Sequence, residues 1–91
     1  SLHYSPGIPL RMNAKKPVKG EAFILIKKRK SHSKDYFFLT KNSNLTQAAR
    51  NLYPTIRKIK NLSYKKIAIE KIPDNGLGRA INDRLTRASK Y

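Results

Sequence analysis

The sequence predicts a small α/β domain with a sheet of three to four strands, mostly parallel or mixed, and two main helices in two or three layers. Two observations support this fold class. Residues 22–26 form a continuous apolar run of strand length, and strand-like and helix-like periodicities alternate along the second half of the chain. Ninety-one residues are enough for one such domain with one modest core.

The first residues of the chain indicate a linker that leads into the domain. Residues 1–9 contain two prolines and a glycine, and we expect them to be the flexible tail of an interdomain linker. The domain is then expected to occupy residues 10–91. Residues 10–12 predict a short edge strand, since Pro9 stands directly before it.

Two further strands are predicted on either side of a basic loop. Residues 22–26 are apolar throughout, which is typical of a central strand that is buried on both faces. Residues 36–40 predict the next strand. Only about eight residues separate the two, fewer than the dozen or so that a parallel crossover usually needs. We therefore expect these strands to be antiparallel neighbours or not to pair at all.

A helix is predicted to follow Asn44, because Asn44 and Gln47 resemble a capping box. Pro54 falls inside the helical pattern, so we expect a kink or a restart there. A strand over residues 66–71 follows, and strand, helix and strand together predict a right-handed βαβ unit. The apolar stripe of the helix consists of Leu45, Ala48, Ala49, Leu52, Tyr53, Ile56 and Ile59.

The last segment predicts a second helix that packs back on the sheet. Pro73 ends the preceding strand, and the residues at positions 74–76 predict a turn with helix-capping side chains. Arg79, Asp83 and Arg87 are spaced to form a charge ladder on the helix surface. The predicted apolar stripe consists of Leu77, Ala80, Ile81, Leu85 and Ala88.

The residue strings at the two ends of the chain resemble those of a known enzyme family. Gly76-Leu77-Gly78, then Ala-Ile-Asn-Asp-Arg-Leu at positions 80–85 and Arg87-Ala88, is similar to the C-terminal signature of the YrdC-related L-threonylcarbamoyladenylate synthases. His3-Tyr4-Ser5-Pro6 resembles the His-Tyr-Ala/Ser-Pro element that closes the linker between the two domains of the long form of that enzyme. The two motifs occur in the same order as in the family and enclose nearly the whole chain.

This resemblance implies an accessory role in a larger enzyme. The family condenses threonine, bicarbonate and ATP into threonylcarbamoyl-AMP and pyrophosphate, a nucleotidyltransferase-type reaction that serves tRNA modification. The resemblance places that chemistry, with ATP and Mg²⁺, in an N-terminal catalytic domain, and this chain matches only the Rossmann-like second domain. It implies no catalytic residue and no cofactor in this chain, so the chain alone is not expected to be an enzyme. His3, Tyr4 and Pro6 are the residues it places near the catalytic cleft, with a linker that gates the cleft.

The charge of the chain leaves two interpretations open. Twenty-one Lys and Arg residues face five acids, giving a formal charge of +16. This charge fits a polyanionic partner such as tRNA, and it also fits a lysine-rich composition with no partner. The alternative function is therefore a basic RNA-binding module without catalysis, with tRNA or tRNA-modification proteins as partners. Its candidate phosphate contacts are in the loop at residues 27–34 and are Lys27, Lys28, Arg29, Lys30 and Lys34, assisted by the segment at positions 64–66.

Other classes of site have little support in the sequence. The chain has no cysteine, and His3 and His32 are far in sequence from any pair of carboxylates, so neither a metal site nor a catalytic histidine is predicted. Gly76 and Gly78 begin a helix after a strand, but a third glycine is missing at position 81 and the dinucleotide fingerprint is incomplete. With no long apolar run and no leader pattern, we expect a cytoplasmic protein that has no membrane partner. The chain begins at Ser1 inside a segment that resembles a linker, so we also expect it to be a fragment of a longer protein.

Overall fold

The computed structural model describes residues 7–31 and 33–88. The described strands form one parallel sheet in the order β1-β4-β2-β3, which confirms the predicted α/β class. Neither helix in these residues has the length and apolarity needed to cross a membrane. The elements are β1 (Leu10–Arg11), β2 (Glu21–Lys27), β3 (Tyr36–Thr40), α1 (Leu45–Asn61), β4 (Lys66–Ile69) and α2 (Gly76–Ala88).

Strand β2 lies inside the sheet, with β4 on one side and β3 on the other. Every residue of β2 except Lys27 is buried, as the apolar run predicts for a central strand. One face carries Ile24 in the apolar cluster that also contains residues of both helices, and the opposite face carries Phe23 and Leu25 in a second, smaller apolar cluster. Because both helices pack on the same face, the domain has two layers.

The expected relation between β2 and β3 was wrong. The two strands are paired in parallel, from Phe23 opposite Tyr36 to Lys27 opposite Thr40. The paired stretch is about 16 Å long at the usual rise of a strand. A chain of eight residues can extend over about 26 Å, so the connecting loop at residues 28–35 can return along the sheet without a helix. A dozen residues or more are typical because the crossover is usually a helix, and the described residues of this loop contain none.

Helix α1 begins as predicted and continues through its proline. The Asn44 side chain caps the helix by accepting a hydrogen bond of 3.0 Å from the Gln47 backbone N–H. Pro54 lies inside an unbroken helix, so the expected restart does not occur. Proline removes one backbone donor, while Leu52 and Ile56 on either side of it are fully buried. Packing of this face therefore holds the helix together across the missing hydrogen bond.

Helix α2 confirms the predicted stripe at Ile81, Leu85 and Ala88 and corrects it at Leu77 and Ala80. The buried residues are Gly78, Ile81, Leu85 and Ala88, whereas Leu77 is 41% exposed and Ala80 is also exposed. The stripe therefore has helical spacing, but it begins at a glycine. A Cβ atom at Gly78 would lie 2.0 Å from the Pro73 carbonyl oxygen, so the first turn of the helix packs directly against the preceding backbone.

The predicted charge ladder on α2 does not form. Within the described residues, the ion pairs are Arg11 with Glu21 and Arg29 with Glu70, and Asp83 takes part in neither. Arg79 instead donates to the Asp74 backbone carbonyl at 3.3 Å. An exposed pair four residues apart on a helix contributes only about 0.3–0.5 kcal/mol, too little to fix long side chains in one geometry.

Candidate functional site

An open groove lies at the edge of the sheet where β2, β3 and β4 begin. Because the strands are parallel, the loops that precede them meet at this one edge. The register places Glu21 of β2 beside Lys66 of β4, and Phe23 of β2 beside Tyr36 of β3. We call this feature the basic groove, and define it by Lys19, Lys34, Asp35, Leu62, Tyr64 and Lys65.

The carboxylate in the basic groove is held by a hydrogen bond within the domain. The Tyr64 hydroxyl donates to Asp35 Oδ1, and this bond, with partial burial, raises the pKa of Tyr64. The Tyr64 and Phe37 rings also form a T-shaped pair, with ring centres 5.8 Å apart and planes nearly perpendicular. These contacts fix the wall of the groove and direct the Asp35 charge toward Tyr64.

A second carboxylate lies at the start of β2 and is also bound. Glu21 is 5% exposed and receives two hydrogen bonds from Arg11, at 2.8 and 3.0 Å. The Val18 backbone N–H donates a third, at 2.8 Å. The Arg11 hydrogen bonds, aided by Val18, lower the pKa of Glu21 although burial opposes this shift. Glu21 therefore joins β1, β2 and the loop between them, and its carboxylate is paired with the Arg11 guanidinium.

The residues proposed as phosphate contacts are divided between two edges of the sheet. Lys27 ends β2 and Lys28 follows it, where the Lys28 backbone N–H donates to the Thr40 carbonyl oxygen at 3.2 Å. Both belong to the carboxyl edge. Arg29 pairs with Glu70 at 3.2 Å, and Lys30 is exposed in the loop. Lys34 alone among these five lies in the basic groove.

The residues predicted to approach the catalytic cleft cannot be located in the structure. His3, Tyr4 and Pro6 lie outside the described residues, as does His32. The described part of the linker contacts the domain: the Pro9 carbonyl oxygen accepts a hydrogen bond of 2.9 Å from the Ile67 backbone N–H, and Ile8 packs against the core. The linker therefore joins the domain beside β4.

A comparison of the sequence with models of protein families identifies the family of the chain. The family model described as "Threonylcarbamoyl-AMP synthase, C-terminal domain" matches residues 1–90. The chain belongs to this family. The resemblance seen in the terminal motifs is thereby confirmed. A search of curated proteins found no match.

A solved structure has the same fold as this threonylcarbamoyl-AMP synthase C-terminal domain. The crystal structure of P. abyssi Sua5 complexed with L-threonine is similar to it, with a TM-score of 0.72 and 23% sequence identity. The match covers 98% of this chain and 30% of that chain. The domain thus spans about a third of the length of the protein that it resembles.

Sequence reasoning missed part of the basic groove in this synthase domain. Lys19 and Leu62 were not among the predicted contacts, although both line the groove with Lys34. An antiparallel pairing of β2 and β3, one of the two arrangements expected, would have placed Lys19 and Lys34 at opposite edges of the sheet. A parallel pairing would have predicted that the residues before each strand converge, which is the signal that identifies Lys19.

Proposed function

We propose that this chain is the accessory domain of a threonylcarbamoyl-AMP synthase, without catalysis of its own, and that its linker gates the cleft of an N-terminal catalytic domain. The complete enzyme would condense threonine, bicarbonate and ATP into threonylcarbamoyl-AMP and pyrophosphate for tRNA modification. ATP and Mg²⁺ would bind in the catalytic domain. The observation that carries this proposal is the family match, which includes residues 1–9 as well as the folded domain.

The attachment of the linker supports a gating role. The linker end is bound to the domain through Pro9 and Ile67, and Ile8 is packed against the core. Gly7 has a φ of +77°, in the region that favours glycine, and the Lys60 ammonium lies close against it. A gate needs one fixed end about which the rest can move. Residues 7–9 supply a fixed end, from which residues 1–6 would reach the cleft.

Three carboxylates of the domain are bound to partners within the fold, which supports an accessory role. Glu70 accepts a hydrogen bond of 2.7 Å from the Ile26 backbone N–H and pairs with Arg29. Glu21 and Asp35 are likewise bound within the domain, to Arg11 and Tyr64. These three acids join strands and loops of the fold, which is a structural role.

Tyr4 is the linker residue best suited to close a cleft. Its ring offers apolar area and its hydroxyl a hydrogen bond, while Pro6 would stiffen the chain where it leaves the cleft and His3 would add a second polar group. A closed linker would exclude water from the reacting groups and hold the substrates. The Tyr4 ring and the Tyr4 hydroxyl would then contribute to closure of the cleft in different ways, which single substitutions can distinguish.

In the complete synthase, we expect Tyr4→Ala to lower kcat/KM for pyrophosphate release by about tenfold, equivalent to about 1.4 kcal/mol of transition-state stabilisation. Tyr4→Phe, which keeps the ring, should retain most of the activity. Leu77→Ala, at an exposed apolar side chain of α2, is the matched control and should match the wild type. Wild-type kinetics for Tyr4→Ala would contradict the gating role.

A further inference from the structure

We propose that the basic groove binds the phosphate backbone of a nucleic acid without reading its base sequence. This inference is independent of the catalytic partner and of the gating role. It assigns an interaction surface to the amino edge of the sheet and leaves aside the basic loop at residues 27–30, which the sequence had favoured.

The charge of the whole chain favours a polyanionic partner. The formal charge is +16, from 21 Lys and Arg residues and five acids. Glu21, Asp35 and Glu70 are all hydrogen bonded within the domain, so their charges are directed at internal partners. A surplus of this size produces a long-range field that draws polyanions toward the domain.

The three lysines of the groove are spread along the edge of the sheet. Lys19, Lys34 and Lys65 come from the loops that precede three adjacent strands. Strands lie about 4.8 Å apart, so three strands place these loops across about 10 Å. One strand of a duplex advances about 3.4 Å along the helix axis per phosphate, so a stretch of about 10 Å along that axis carries about three phosphates. Three lysines at this spacing can each meet a different phosphate of one backbone.

The chemistry of the lining favours a backbone over other anions. All three cations of the basic groove are lysines, which act as point charges and lack the forked geometry by which arginine holds a single phosphate or a guanine edge. The lysines surround a concave surface, whereas a membrane presents a flat one. A chain of regularly spaced charges is the ligand that fits such a groove, and its bases need not be contacted.

The test compares two triple variants of equal charge. Lys19→Gln, Lys34→Gln and Lys65→Gln together neutralise the groove, and Lys28→Gln, Lys41→Gln and Lys71→Gln neutralise exposed lysines at the opposite edge. Each variant lowers the formal charge by three, from +16 to +13. Binding of a labelled RNA hairpin, a DNA hairpin of the same sequence and polyglutamate is measured by fluorescence anisotropy over a range of salt concentrations. Thermal melting checks that both variants remain folded.

We expect the groove variant to lose at least about tenfold in affinity for the RNA hairpin at moderate salt, and the slope of log K against log salt to fall by about two to three units. The opposite-edge variant should lose less than about threefold. Equal binding of RNA and DNA supports a backbone contact, and a preference for RNA adds contacts to the 2′-hydroxyls. Equal losses in the two variants, or binding of polyglutamate as tight as that of RNA, would overturn the proposal.

Discussion

Gly78 lets the first turn of α2 lie against the backbone of Pro73. Because an added Cβ atom would be 2.0 Å from the Pro73 carbonyl oxygen, a side chain at this position requires the helix to move. Neighbouring Gly76 has a φ of +53° and nothing within 4 Å of its added Cβ atom. The two glycines of the motif therefore have different roles, one in packing and one in backbone conformation.

We predict that Gly78→Ala lowers the free energy of unfolding by about 3 kcal/mol, because overpacking displaces α2 from the core. Gly76→Ala, the control, should cost about 1 kcal/mol through its backbone conformation alone. Urea unfolding followed by circular dichroism measures both values. Equal stabilities of the two variants would show that the close approach at Pro73 is not the constraint.

Glu21 makes the stability of the domain depend on pH. Its pKa in the folded state is lowered by the hydrogen bonds from Arg11, so the folded state favours the ionised carboxylate. A carboxylate of this kind stabilises the protein above its unfolded pKa of about 4.3, and this contribution is lost as the pH falls through the folded pKa.

We predict that Glu21→Gln lowers the free energy of unfolding by about 1–3 kcal/mol at pH 7. The difference in unfolding free energy between this variant and the wild type should become smaller as the pH falls below about 4. Asp83→Asn serves as the control, because Asp83 is exposed and its carboxylate forms no ion pair within the described residues. Urea titrations across the pH range give both curves. A gap between Glu21→Gln and wild type that stays constant down to pH 3 would contradict the role of the ionised carboxylate.

At the scale of elements, α1 depends on its cap because its proline weakens the middle of the helix. Asn44→Ala removes the hydrogen bond to the Gln47 N–H and should cost about 1 kcal/mol of unfolding free energy. Thr46→Ala, at an exposed position in the same turn, should change stability by less than half as much. Thermal melting of the two variants provides the comparison, and an Asn44→Ala variant as stable as Thr46→Ala would exclude a capping role.

The strands and helices could be predicted where one local signal dominates. The apolar run of β2 predicts burial on both faces, and the Asn44–Gln47 spacing predicts the start of α1. The pairing of β2 with β3 depends on how far a loop extends across the sheet, which residue types alone do not determine. The exposure of Leu77 depends on the contact between Gly78 and Pro73, a packing detail that hydrophobic periodicity ignores.

For the molecule as a whole, the candidate site was only partly predictable, because residue types alone do not determine how the strands pair. The charge, the contribution of Lys34 and the assistance of the segment at positions 64–66 were predicted from the sequence, whereas the convergence of Lys19 on the same groove requires a parallel sheet. The division of the basic loop between two edges also follows from the sheet. Topology, which brings distant residues together, therefore determines the surface that a partner would meet.

The most direct test is pyrophosphate release from ATP in the presence of threonine and bicarbonate, measured for this chain alone and for the complete synthase that contains it. We predict that residues 1–91 alone give no release above the protein-free blank, and that the complete enzyme gives turnover that depends on all three substrates. Turnover by the 91-residue chain itself would contradict its assignment as the accessory domain.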